Sequence, residues 1–102
     1  MRMRDGNTIR RSVSKEKRPG AYLLWCADHT LYAGWTNDIE QRVACHNSGR
    51  GAKYTRSRLP VTLAYWEECA DQSEAMRLEA RLKKMSRAQK IALIERAKSK
   101  ER

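Results

Sequence analysis

The chain has few of the residues from which metal cages, disulfide frameworks and membrane spans are built. Its 102 residues include three cysteines and two histidines. Cys26, Cys45 and Cys69 are odd in number and form no C-x-x-C pair, so they predict neither a zinc site nor a disulfide framework. We interpret them as reduced, mostly buried thiols of a cytoplasmic protein. No apolar run approaches the ~18 residues needed to cross a bilayer, so a soluble protein is expected.

Acidic residues are also scarce beside basic ones. The chain has 22 lysines and arginines against 12 aspartates and glutamates, which gives a formal net charge of +10. Such an excess in a short chain favours a polyanionic partner, and nucleic acid is the leading candidate. We expect DNA rather than RNA, no membrane partner, and a monomer.

The first 19 residues differ in composition from the rest of the chain. They contain seven basic and two acidic residues and little that could be buried. No apolar stretch of ~7–15 residues follows the basic start, as it would in a signal peptide. We predict a basic, flexible N-terminal arm over residues 1–19, one folded domain over residues 20–98 and a C-terminal tail over residues 99–102.

Two triplets, each joining a tyrosine to a glycine across one alanine, stand on either side of a predicted turn. They are Gly20-Ala21-Tyr22 and Tyr32-Ala33-Gly34. Residues 22–27 and 30–35 are rich in aromatic and branched residues and predict two strands. We expect both glycines to be structural, as bare backbone that lets a bulky substrate approach the phenols.

Two loop lengths could join these strands. A two-residue loop leaves the two tyrosines on opposite faces of the sheet. A three-residue loop over residues 27–29 pairs Tyr22 with Gly34, and only this register puts both phenols on one face. The longer loop requires a left-handed backbone conformation at His29.

Capping signals predict a helix directly after the hairpin. Asn37 is the expected N-cap and Glu40 the third helical position, which is a variant of the capping box. The helix would cover residues 38–46. Arg42 and His46 are four residues apart, so they would lie one turn from each other.

Two further helices follow a third strand predicted over residues 61–66. Ser73 is the expected N-cap of the first, in which Glu79 stands at the edge of an apolar stripe. An ionised carboxylate in that position must be paired, solvated or bound to a metal. The last helix would begin at the S-x-x-Q capping box of Ser86 and end near residue 97.

Residues 47–60 form a polar, glycine-containing loop that we predict to contact nucleic acid rather than to join the core. Its basic residues suit phosphate contacts without sequence readout, and its tyrosine could stack on an exposed base. The candidate nucleic-acid-binding residues are Arg50, Lys53, Tyr54, Arg56 and Arg58. The segment lacks the G-x-x-x-x-G-K-[ST] spacing of a nucleotide-binding P-loop.

In their order and spacing these segments resemble the GIY-YIG family of nucleases. The match runs from Gly20 to about Ile94, with alanine in place of isoleucine in both triplets. Residues 38–42, 46–49 and 51–56 also match. Within the family the chain is similar to small single-domain bacterial proteins that are named by sequence group. The resemblance implies an α+β fold, with a small three-stranded antiparallel sheet flanked by helices.

The resemblance also implies a site that hydrolyses phosphodiester bonds with one divalent cation. By position in the matching segments, Glu79 would hold the metal and Arg42 would bind the scissile phosphate. Tyr22 would help to activate the attacking water. Tyr32 and His46 would position these groups or shuttle a proton.

Elementary chemistry agrees with such a site. Attack on a phosphodiester places negative charge on the non-bridging oxygens, which an arginine fork and a cation with open positions stabilise. Mg²⁺ or Mn²⁺ suits a site with one protein carboxylate, because these ions keep several waters and gain ligands from the phosphate. A tyrosine base would need its pKa, ordinarily about 10, to be lowered by the cation or by Arg42.

We therefore expect a divalent-metal-dependent endonuclease that acts on DNA with little sequence preference. One alternative is a nucleic-acid-binding module that kept the fold and the basic surface without catalysis. A second is a protein-interaction subunit of a nucleic-acid complex, docked through Trp25, Trp35 or Trp66, although tryptophans are more often part of a core.

Overall fold

The computed structural model describes residues 17–100, so most of the predicted N-terminal arm and the last two residues lie outside the described part. The described residues form three strands and four helices. They are β1 (Gly20–Trp25), β2 (Leu31–Thr36), α1 (Ile39–Asn47), α2 (Lys53–Arg56), β3 (Thr62–Glu68), α3 (Gln72–Lys84) and α4 (Arg87–Lys100). The α+β prediction is confirmed. The last helix passes the predicted end near residue 97, because no glycine or proline interrupts it there.

The sheet has the order β2-β1-β3, and both neighbours of β1 are antiparallel to it. In the hairpin, Tyr22 lies opposite Gly34, which is the register of the three-residue loop. The Cys26 amide donates to the Thr30 carbonyl at 2.9 Å and closes that loop. His29 has a φ of 68°, the left-handed conformation that this register requires.

The alternation of β1 divides the buried residues between two faces of the sheet. One face carries Ala21 and Leu23, which pack with Leu78 and Leu82 of α3 and Ile94 of α4. The opposite face carries the next residues along the strand. Its buried cluster consists of Tyr22, Leu24, Cys26 and Val61, with Ile39 and Val43 of α1 packed against it. The site described below lies on this second face.

Two predicted helix caps are wrong and one is confirmed. Asp38 rather than Asn37 caps α1, and Asp71 rather than Ser73 caps α3, accepting from the Glu74 amide at 2.8 Å. Both aspartates have the extended backbone that an N-cap requires. Ser86 and Gln89 form the predicted capping box, with side-chain contacts of 3.1 and 2.8 Å to each other's amides.

Residues 47–60 were predicted to be a polar surface loop, and this prediction is only partly right. They include the short helix α2, and the side chain of Thr55 is fully buried. Asn47 ties the start of the segment to β3, because its amide group both accepts from and donates to the backbone of Val61, at 2.7 and 3.0 Å. The polar composition of the segment concealed this anchoring.

The cysteines and tryptophans are buried or half-buried, as expected for residues that contribute to the core. Cys26 and Cys69 are buried, Cys45 is half-buried, and all three are free thiols. The three tryptophans are half-buried and pack against the two clusters. Among residues 17–100, no helix combines the length and apolar character needed to cross a membrane.

Candidate active site

Three buried side chains form a line of hydrogen bonds on the second face of the sheet. The hydroxyl of Tyr22 lies 3.1 Å from Nε2 of His46, and Nδ1 of the same ring lies 2.8 Å from the hydroxyl of Thr55. Thr55 in turn donates to the carbonyl of Ala52 at 2.9 Å. Tyr22 is 1% exposed, and His46 and Thr55 are 0% exposed. Because buried polar groups require partners, this line fixes the positions of its members.

Arg42 completes the pair that the helix spacing predicted. It is half-buried, one turn before His46 on α1, and its side chain interacts with the Tyr22 hydroxyl, which raises the pKa of the guanidinium. Nη1 of Arg42 also lies 3.9 Å from the sulfur of Cys45. A guanidinium offers five donors, so Arg42 can contact the phenol and still present N–H groups to a phosphate.

The electrostatic environment keeps both ring systems neutral. Burial raises the pKa of the Tyr22 hydroxyl by more than Arg42 lowers it. Burial also lowers the pKa of His46, and the nearby charge of Arg42 adds to the effect. Arg42 therefore does not produce the lowered tyrosine pKa that a simple tyrosine base would need. A neutral imidazole beside a neutral phenol is instead suited to pass a proton between them.

Tyr32 lies on the solvent side of these hydrogen-bonded residues. Its ring makes an edge contact with the His46 ring at a centroid distance of 5.5 Å, and it stacks on Tyr54 at 5.8 Å with an interplanar angle of 20°. Tyr54 is 38% exposed, and the Arg58 guanidinium lies 3.8 Å from its ring centroid. The predicted pair of phenols is thus on one face, with Tyr32 nearer to solvent than Tyr22.

Glu79 lies on α3, whose apolar stripe packs against the opposite face of the sheet. Its side chain is 22% exposed and lies 3.3 Å from the ammonium of Lys83, one turn further along the helix. Burial is the largest cause of the raised pKa of Tyr22, and the charge of Glu79 adds to it. Because an exposed ion pair contributes only ~0–1 kcal/mol, Lys83 is a replaceable partner for this carboxylate.

Three glycines make room for the protein's own rings. A Cβ at Gly34 would overlap the ring and hydroxyl of Tyr22, and one at Gly20 would overlap the indole of Trp66. The prediction that these glycines leave space for substrate is therefore wrong, since both spaces are filled from within. A Cβ at Gly51 would overlap the ring of His46 in the same way. Glycine is needed here for close approach to an aromatic ring.

The predicted nucleic-acid-binding residues do not form a uniform set. Three of them are exposed to solvent: Arg50, Lys53 and Arg56. Arg58 is held by Asp28 at 3.0 Å and by the Tyr54 carbonyl at 2.7 Å, in addition to its contact with the Tyr54 ring. These bonds give Arg58 a structural role at the base of the hairpin loop, which leaves the first three as the available phosphate contacts.

Two residues of the site were missed by sequence reasoning. Thr55 and Gly51 contact His46 from outside its helix, and no periodicity links them to it. Thr55 lies in one of the segments that matched the family, next to Tyr54, but was treated as part of an exposed loop. The available signal was a small β-branched residue inside an otherwise basic run.

Comparison with known proteins agrees with this fold. A family model described as the GIY-YIG catalytic domain matches residues 18–92. The chain belongs to the GIY-YIG family, which is a family of nucleases.

Within that family, the chain is similar to proteins named UPF0213. It is 57% identical over 72 residues to one from Halobacterium salinarum, covering 71% of this chain and 94% of the relative. It is 50% identical over 74 residues to one from Staphylococcus haemolyticus, covering 72% and 90%. These names state no activity.

Two solution NMR structures share the fold. The first, of a UPF0213 protein from Bacillus halodurans, has a TM-score of 0.50 and 40% identity, and covers 76% of this chain and 83% of that one. The second, of a protein from E. faecalis, has a TM-score of 0.51 and 38% identity, with coverage of 76% and 84%.

Proposed function

We propose that this chain is a divalent-metal-dependent endonuclease that hydrolyses phosphodiester bonds in DNA with little sequence preference, in DNA repair or processing. The observation that carries the proposal is the buried line from Tyr22 through His46 to Thr55, with Arg42 one helical turn before His46 and the charge of Glu79 adding to the raised pKa of Tyr22. The line places a phenol and an imidazole within hydrogen-bond distance of each other, which is the arrangement that proton transfer requires.

Arg42 and Tyr22 carry the first step. The guanidinium binds the non-bridging oxygens of the scissile phosphate, where negative charge grows during attack. The Tyr22 oxygen, whose proton lies toward Nε2 of His46, takes the attacking water as a further partner. The water gives its proton to the Tyr22 oxygen while the phenol passes its own proton to Nε2 of His46.

This relay explains why a tyrosine with a raised pKa can assist. The phenol never has to exist as a free phenolate, since it loses one proton as it gains another. The charge that accumulates resides on the His46 imidazolium. Tyr32 excludes bulk water from the outer side of that ring, which it contacts at 5.5 Å.

Glu79 is the residue that would hold the cation. Among residues 17–100, no cluster of three or more histidine, cysteine or acidic side chains forms a closed metal cage. A single carboxylate, 22% exposed, fits Mg²⁺ or Mn²⁺, which retain waters and take further ligands from the phosphate. When bound, such a cation would stabilise the charge that develops on the phosphoryl oxygens.

The test compares cleavage of supercoiled plasmid by wild type and Glu79→Gln, with Mg²⁺, with Mn²⁺ and with chelator. We expect the variant to lose more than about 100-fold in rate, since a cation at a phosphoryl centre contributes several kcal/mol. Glu95→Gln, an exposed residue of α4, is the matched control and should cleave at the wild-type rate. Nicking that persists in Glu79→Gln or in chelator contradicts the proposal.

Binding without cleavage is the second candidate, and the exposed basic residues on and before α2 favour it. If the chain only binds, its affinity for DNA will fall steeply with salt and Glu79→Gln will leave that affinity intact, with no nicking by wild type. A duplex RNA of the same length, measured in parallel, decides between the two nucleic acids.

A further inference from the structure

Thr55 has no role in any of the steps above, yet it is fully buried against the ring of His46. Its hydroxyl stands between Nδ1 of His46, at 2.8 Å, and the Ala52 carbonyl, at 2.9 Å. The backbone of α2, which is only four residues long, carries Thr55 to this position. A buried hydroxyl with two partners donates to one of them and accepts from the other.

The direction of these bonds follows from counting protons at both ends of the line. The Ala52 carbonyl accepts from the Thr55 hydroxyl at 2.9 Å as well as from the amides of Thr55 and Arg56, and with the Thr55 proton in this bond Nδ1 of His46 is the donor to the Thr55 oxygen. At the other end, the hydroxyl of Tyr22 is buried and its one proton needs an acceptor. Nε2 of His46, at 3.1 Å, is the acceptor in place.

Both counts give the same tautomer. We propose that Thr55 is a positioning residue that holds His46 with its proton on Nδ1, so that Nε2 stays free to accept the proton of Tyr22. The catalytic consequence rests on the proposed function, whereas the tautomer itself does not. Gly51 supports the arrangement because its missing side chain lets the backbone lie against the same edge of the ring and restrict its rotation.

The tautomer is measured on the full chain, free of metal and DNA, by long-range proton–nitrogen NMR of ¹⁵N-labelled histidine. His29→Asn provides a background in which His46 is the one remaining histidine of the sequence. Asparagine tolerates the left-handed conformation at position 29, so the hairpin should persist. We expect a protonated Nδ1 and an unprotonated Nε2. An Nε2–H tautomer in this protein overturns the proposal without any further variant.

Substitutions at position 55 then test the cause. Thr55→Val keeps the shape but removes the hydroxyl, so Nδ1 loses its acceptor and the proton should move to Nε2. Thr55→Ser restores the hydroxyl and should restore the wild-type pattern. If Thr55→Val is folded by circular dichroism and retains the Nδ1–H tautomer, the proposal is wrong. If Thr55→Val does not fold, the tautomer of His46 in the wild-type chain decides the question, and the tautomer in Thr55→Ser is compared with it.

Plasmid cleavage supplies the readout that connects the tautomer to catalysis. We expect Thr55→Val to lose about 10- to 100-fold in kcat with KM unchanged, and Thr55→Ser to recover, since a positioned acid–base group contributes up to that order. Wild type with the expected tautomer but no cleavage refutes the proposed function alone. Cleavage that is unchanged in Thr55→Val refutes the positioning role alone.

Discussion

The two faces of the sheet are buried in different ways, although one strand supplies both. The face toward α3 is closed by aliphatic side chains, with Leu23 and Leu82 at 0% and 1% exposure. The face toward α1 is closed around Tyr22, His46 and Thr55, which are equally buried but hydrogen-bonded. The packing of the first face depends on the shape and volume of its side chains. The packing of the second face depends on every hydrogen-bond partner being present.

This difference separates stability from chemistry. Aliphatic contacts are non-directional, so the α3 face stabilises the fold without restricting any proton. Hydrogen bonds to a buried ring fix its rotation and its tautomer, and they cost free energy if one partner is lost. Substitutions on the first face should therefore change the free energy of unfolding, and those on the second should change activity as well.

The largest expected effect on stability is at Leu82. Leu82→Ala should lower the free energy of unfolding by about 2–5 kcal/mol, because it removes methylene groups from a closed core and leaves a cavity. Urea denaturation followed by tryptophan fluorescence measures this. Leu63→Ala is the matched control, since Leu63 is 45% exposed and should change stability by less than about 0.5 kcal/mol. Equal effects at the two leucines would contradict the division between core and surface.

A smaller loss is expected where the site face meets β2. Gly34→Val should lower the free energy of unfolding by about 1–3 kcal/mol and reduce cleavage, because the new side chain displaces the Tyr22 ring from His46. Tyr22→Phe removes the hydroxyl that lies nearest to the new Cβ. The double variant should therefore be less destabilised than the sum of the two single variants. Simple additivity in this cycle would show that the ring and the new side chain do not meet.

The smallest effect is the pH dependence that His46 gives to stability. Its pKa in the folded chain is lowered, so the unfolded chain binds a proton first as pH falls below about 6.5. The stability that neutral His46 contributes is thus present above pH ~6.5 and is lost as pH falls through the folded-state pKa. Urea denaturation at pH 7.5 and 5.5 measures the difference. His46→Gln should reduce it.

The hairpin and the start of α4 were the parts most open to prediction. Local rules decided them: the alternation of β1, the tolerance of His29 for a left-handed conformation, and the S-x-x-Q box at Ser86. The first two caps were misplaced by one or two residues, because Asn37 and Ser73 stand beside aspartates that can serve equally well. Local signals of equal strength do not identify the residue at which a helix begins.

The surroundings of His46 could not be predicted in the same way. Thr55 and Gly51 reach the ring only because Asn47 ties the end of α1 to the start of β3 and folds the intervening segment back. Residues 47–60 are polar, and polarity alone predicts exposure. Burial was decided by long-range contacts that no short pattern records.

The sequence by itself indicated the family and the antiparallel hairpin, because these depend on residue type, order and short-range periodicity, and it predicted five candidate site residues. Only the tertiary structure decided that Tyr22 is buried with a raised pKa, that the glycines accommodate the protein's own rings, and that Thr55 is hydrogen-bonded to His46. Those properties depend on distance and desolvation, and both are set by residues far apart in the chain that packing brings together.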